Sequence, residues 1–134
     1  MADNNPLFIS RTADKEALIQ LHDCFNQCKP TFIALGDEVR LTIINALAKA
    51  ALIDSVSTIC RSPLPRGLSV NEITNTTKLS RPAISHHLKI LKRVGLVDST
   101  RIGTSNIYYL TFENSSRLLS RLNKALHEIW PESE

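Results

Sequence analysis

At 134 residues, with 43% hydrophobic and 22% charged side chains, the chain has the size and composition of one globular domain with a real but modest core. Three cysteines in no scaffold spacing exclude a disulfide-built secreted module and point to reduced thiols in a reducing compartment. The net charge of +3 says little, but its distribution does: residues 78–101 hold six lysines and arginines against the single Asp98, a local +5 that leaves about −2 elsewhere.

The stretch Met1–Pro6 lacks a basic segment followed by an apolar run, and no later apolar run approaches bilayer length. The sequence therefore reads as cytoplasmic, with no membrane contact. There is no internal repeat and no low-complexity tract. Residues 1–11 read as a loose lead-in. Thr12 is placed to cap a first helix carrying Asp14 and Glu16 near its positive end, with Leu18, Leu21, Phe25 and Cys28 recurring on one face. Pro30 is expected to end that helix or to open a short second one, which Gly36 closes. Asp37 then caps a helix from about Glu38 past Ala50 that turns Val39, Ile43, Ala46, Leu47 and Ala50 inward, the central helix of the core. Residues 61–67, RSPLPRG, are loop; residues 52–60 fit either an extension of the helix or a turn of their own.

Organisation is densest from Ser69 to Phe112. Ser69-Val70-Asn71-Glu72 has the spacing of a capping box, opening a short helix to about Thr77. Lys78 and Leu79 make the connection. Ser80 caps a second helix, Pro82 sits in its first turn where a missing N–H costs nothing, and Gly95 supplies the left-handed residue that stops it. Stepping 100° per residue separates a buried stripe of Ile84, Leu88, Leu91 and Val94, with His87 at its margin, from a face made of Arg81, Pro82, Ser85, His86, Lys89, Lys92 and Arg93. From Arg81 to Val94 there are four basic residues and no Asp or Glu, the composition of a helix that faces phosphates. Residues 96–101 and 107–112 read as strands around the turn residues Gly103-Thr104-Ser105-Asn106. Helix, turn, helix, hairpin is a winged helix-turn-helix, so the fold class is mainly α with a small β-hairpin as the wing. A last helix from Asn114 or Ser115 carries Leu118, Leu119, Leu122, Ala125, Leu126 and Ile129 on a broad apolar stripe, and Pro131 ends it.

Two strings carry a family resemblance. Ala34-Leu35-Gly36-Asp37-Glu38-Val39-Arg40-Leu41-Thr42-Ile43-Ile44 resembles the ALxDxxRLxIL stretch of the ArsR/SmtB transcriptional repressors, and residues 79–91, LSRPAISHHLKIL, resemble their recognition helix. Gly95-Leu96-Val97 is similar to the approach to their wing. The likeness spans about Phe32 to Phe112 and is thinnest over residues 51–67, where the family crosses in fewer residues. It implies a homodimer of DNA-binding repressors, the terminal helices (12–35 and 113–130) packing across a two-fold axis. The apolar faces of those helices suit the same role, although they would also suit packing on their own core. A two-fold dimer offers two recognition helices to successive major grooves, about 34 Å apart, so the expected partner is double-stranded DNA with a palindromic site.

The candidate DNA-contacting residues are Lys78, Ser80, Arg81, Pro82, Ser85, His86, Lys89, Lys92, Arg101 and Thr104. Arg81, Ser85 and His86 suit base edges and Pro82 a thymine methyl. Lys78, Lys89 and Lys92 suit phosphates, and Arg101 and Thr104 suit backbone or minor groove from the wing. His87 reads as structural. No cofactor is expected. The family's Cys-x-Cys metal site is replaced here by Ser69-Val70-Asn71, and of its C-terminal Asp-x-His site only His127 with Glu128 remains. Cys24 and Cys28 lie four apart on one helix face, which suits buried packing thiols and also a thiol switch or two soft metal ligands; an unidentified small effector is a further candidate partner. A phosphate-binding glycine loop, a nucleophile elbow and a carboxylate pair are all missing, so the chain does not read as an enzyme. A protein-docking winged helix is the alternative to DNA binding.

Overall fold

The computed structural model describes residues 15–56 and 66–132, with only the backbone given for 54–56. The elements run α1 (Lys15–Leu35), α2 (Glu38–Val56), α3 (Val70–Thr77), α4 (Arg81–Arg93), β1 (Val97–Ile102), β2 (Ser105–Leu110) and α5 (Glu113–Ile129). The loose lead-in, the Thr12 cap and residues 57–65 of the expected loop lie outside the described residues. The chain forms two compact units, one of residues up to Lys29 and from Ser116 onward, the other Pro30–Ser115.

Pro30 does not break α1, contrary to the sequence expectation: the helix runs through it to Leu35. Proline removes one backbone hydrogen bond, the one to the carbonyl four residues back, and Pro30 and Asn26 both lie on the exposed side, where a freed carbonyl can be hydrated. The helix survives the loss, and the boundary between the two units falls at this residue.

In the larger unit each element starts where a side chain satisfies its end. Asp37 Oδ1 accepts the Arg40 N–H at 3.1 Å and caps α2, which continues through Ala51 to Val56. Ser69 and Glu72 form the reciprocal capping box of α3 at 3.2 and 3.1 Å. The Ser80 hydroxyl accepts the Ala83 N–H at the start of α4. Between α3 and α4 the chain reverses at Lys78, which holds φ 63° and donates its N–H to the Thr74 carbonyl. Gly95, at φ 82°, closes the far end of α4.

Helices α2, α3 and α4 and the hairpin then pack around Ile43, Leu47, Ile73, Ile84, Leu88, Leu91, Leu96 and Val97, each at most 1% exposed. Every such side chain contributes about 1.5–3 kcal/mol by leaving water. The hairpin pairs Val97 with Leu110 through Ile102 with Ser105. Its turn is therefore two residues, Gly103 and Thr104, rather than the four expected; Ser105 and Asn106 join the ladder because Gly103, at φ 62°, supplies the reversal at the first central position.

One pairing was not visible in the sequence. Leu68 bridges Tyr108, with both backbone bonds made at 2.9 and 2.8 Å, so the hairpin gains a third partner beside β2. The approach explains Gly67: a Cβ there would land on the Tyr108 carbonyl oxygen and lie 2.8 Å from Ile107 Cγ2.

Gly67→Ala is therefore expected to destabilise the fold by about 1–3 kcal/mol, read as a lower urea midpoint at unchanged slope. Asp37 gives a pH signature. The Arg40 backbone N–H, aided by the Arg40 charge, holds its carboxyl below the ordinary carboxylate range. Its stabilising contribution is present above that range and is lost as the pH falls through the lowered value. The melting-temperature gap between wild type and Asp37→Ala should accordingly be widest near neutrality and close in acid.

Candidate nucleic-acid interface

The buried stripe of α4 decides what its other face does. With Ile84, Leu88 and Leu91 sealed in the core, Arg81, Pro82, Ser85, His86, Lys89, Lys92 and Arg93 are all left exposed, as helical stepping requires. No acid stands on this helix, and its last turn ends on Lys92 and Arg93. Lys78 and Ser80 are exposed immediately before it, and Arg101 and Thr104 are exposed on the hairpin.

The structure brings part of this set together. Arg81 and Thr104 line one polar cleft, which Ser69, Val70, Asn71, Ser105 and Asn106 complete. The start of α4, the start of α3 and the hairpin tip thus converge. Asn71, Ser105 and Asn106 were missed in the sequence. Nothing in the spacing of Asn71 distinguishes it from an ordinary first-turn residue, and the two wing residues read only as turn formers. The positions that hold the Cys-x-Cys metal site in the family resemblance, Ser69-Val70-Asn71, are here part of this cleft.

Lys92 is placed differently from Lys89. Its ammonium donates to the Ser99 hydroxyl at 2.8 Å and lies 3.9 Å from the Asp98 carboxylate, tying the last turn of α4 to β1. Both partners are half exposed, so the ion pair is worth about 0–1 kcal/mol and serves mainly to set direction. Arg101 faces Asn106 across the ladder and is not among the residues that line the cleft.

His87 is half-buried and turned from this face. Its Nδ1 lies 3.3 Å from Arg40 Nη1, and its ring meets that of His86 edge-on with centroids 5.3 Å apart. A guanidinium has no acceptor, so Nδ1 must accept and Nε2 must carry the proton in the neutral imidazole.

In the smaller unit, Cys24 and Cys28 are 8% and 0% exposed. The Cys28 thiol donates to the Leu118 carbonyl at 3.4 Å, joining α1 to α5. Burial pushes this thiol above its ordinary value and the neighbouring Cys24 adds to the effect, so the nucleophilic thiolate is disfavoured. Among the described residues no group of three His, Cys, Asp or Glu side chains is placed to hold a metal ion. His127 lies 3.7 Å from Glu132, not toward a ligand set. No helix among the described residues is long and apolar enough to cross a membrane.

Residues 66–99 match the model of the bacterial regulatory proteins of the arsR family. The chain is 28% identical over 100 residues to an uncharacterized HTH-type transcriptional regulator of Methanocaldococcus jannaschii, covering 75% of this chain and 96% of the relative. It is 39% identical over 77 residues to an HTH-type transcriptional regulator of Mycobacterium tuberculosis, covering 58% and 57% of the two chains. Among solved structures it is similar to an ArsR-like transcriptional regulator from Rhodococcus sp. RHA1, at a TM-score of 0.55 and 25% identity over 76% of this chain and 82% of the other. The matched segment comprises the capped α3, the turn, α4 and the first residues of the hairpin, and over it the chain is similar to the bacterial regulatory proteins of the arsR family.

Proposed function

We propose that the chain is a homodimeric repressor that binds a palindromic DNA operator, α4 lying in the major groove and the hairpin beside it. One observation carries the reading: the fully buried stripe of α4 leaves an acid-free, basic face wholly exposed. In this reading Arg81, Ser85 and His86 meet base edges, Pro82 adds an apolar contact, and Ser80, Lys78 and Lys89 hold the backbone. Lys92 contacts phosphate from its tethered position, while Arg101 and Thr104 do so from the wing.

Lys78 supports the assignment in a second way. A non-glycine residue in the left-handed region costs about 1–2 kcal/mol, and glycine is the residue that helix ends ordinarily use there. Here a lysine occupies the strained position, exposed, one turn from the recognition helix. Strain retained at a charged surface residue is the pattern of a position kept for its side chain.

The dimer rests on the smaller unit. Leu18 and Ile19 on α1, Leu126 on α5 and Trp130 just after it are 36–51% exposed, an apolar surface that a second copy would cover. Two copies related by a two-fold axis would cover it and would set two recognition helices one helical turn of DNA apart.

Selection of bound duplexes from a random pool tests both points together: inverted repeats with centres about 10 base pairs apart are expected, and half-sites alone would exclude the dimer. Repeating the selection with oxidant, chelator or a thiophilic metal reports the class of any inducer. On the recovered operator, Arg81→Ala should cost roughly 1–3 kcal/mol and relax preference at one base, whereas Lys89→Ala should weaken operator and random DNA alike. Identical profiles for the two variants would refute the division of roles. Lys78→Gly should raise stability by about 0.5–1 kcal/mol in denaturant yet lower DNA affinity and flatten its salt dependence. A protein-docking role would instead show little fall in affinity with salt.

A further inference from the structure

Arg40 lies in the first turn of α2, remote in sequence from α4, and its guanidinium makes an unusual set of contacts. Nε donates to the Ala34 carbonyl at 2.6 Å and Nη2 to the Ile33 carbonyl at 3.1 Å, both in the last turn of α1, where the Ile33 oxygen also accepts the Gly36 N–H at 3.3 Å. Nη1 lies 3.9 Å from the Asp37 carboxylate and 3.3 Å from His87 Nδ1. The Arg40 side chain is 12% exposed, so these bonds are made largely out of water. One planar group therefore joins the end of α1, the cap of α2 and the recognition helix.

The contact falls at a sensitive place on α4. A helix docked only by aliphatic side chains can roll by several degrees at little cost, because dispersion contacts are non-directional. A hydrogen bond is directional and weakens steeply as its angle departs from linearity. His87 sits at the edge of the buried stripe, where a small roll displaces its ring most. Its ring in turn packs edge-on against His86, a residue of the DNA-facing side. Arg40 touches none of the candidate DNA contacts itself.

We infer that Arg40 and His87 are positioning residues for operator recognition: the bond between them fixes the roll of α4 and so the direction in which Arg81, Ser85 and His86 reach the bases. The inference rests on the DNA-binding reading above. It assigns to the pair an effect on discrimination between sequences, because base contacts need accurate aim while phosphate contacts through long lysines tolerate error.

The test compares wild type, His87→Leu, His87→Asn and Arg40→Lys for affinity to the selected operator and to random duplex, after thermal unfolding confirms that each is folded at the assay temperature. His87→Leu keeps the Arg40 bonds to Ile33 and Ala34 and removes the acceptor together with the ring that meets His86. It should lower the operator-to-random ratio about tenfold, the loss of one charge-assisted hydrogen bond, with affinity for random DNA unchanged. Asparagine sets an amide oxygen near the place of Nδ1, so His87→Asn should recover most of the ratio. Arg40→Lys keeps the charge but lacks the planar fork that spans the carbonyls and the imidazole, and should fall with His87→Leu. A wild-type ratio in His87→Leu, or an equal loss in His87→Asn and His87→Leu, overturns the inference. If wild type binds neither duplex, the DNA-binding reading itself fails; if it binds and discriminates, these outcomes concern the pair alone.

Discussion

The larger unit of this molecule depends on one apolar seam. Ile84, Leu88 and Leu91 are at most 1% exposed, and they lock α4 against Ile43 and Leu47 of α2, Ile73 of α3 and the Leu96-Val97 entry to the hairpin. At 3.6 residues per turn, fixing the inner stripe fixes the outer one. The same packing that holds the fold together therefore selects which residues look outward, and a core change that shifts α4 alters their direction as well as stability.

Short helices need defined ends. At 8 and 13 residues, α3 and α4 are too short to persist alone, and their caps decide where each begins. The Ser69–Glu72 box, the Ser80 cap and the reversal at Lys78 set the angle between the two helices, and Gly95 sends the chain back along the core into β1. The wing tip then returns to the start of both helices, where Thr104 and Arg81 border the same cleft. Local backbone chemistry at five or six residues thus assembles a surface from elements distant in sequence.

These local signals were the legible part. The capping box, the Ser-Arg-Pro start of α4 and the terminating glycine act over three or four residues, and helical periodicity separated the faces of α4 at Ile84, Leu88 and Leu91, while Val94, expected in the same stripe, is only half-buried at the helix end. Signals that depend on another part of the chain were not legible. Pro30 reads as a stop, but the chain tolerates one lost bond on an exposed side. Ser105 and Asn106 have turn chemistry and are drawn into the ladder by a turn that Gly103 makes shorter. Arg40 in isolation is an ordinary helix arginine; only the carbonyls of Ile33 and Ala34 and the imidazole of His87, the last 47 positions away, reveal its setting. Asn71 becomes part of the cleft for the same reason.

The bridge from Leu68 to Tyr108 has a consequence for how this sequence can diverge. A two-stranded ribbon alone is marginal in water, and a third backbone partner gives this one an anchored margin. That anchor also pins the chain where the connection from α2 rejoins the core, so the number of residues upstream can change without shifting the strand register. The hairpin is thereby fastened at Tyr108 as well as at its own turn, so its pairing does not rest on Gly103 alone.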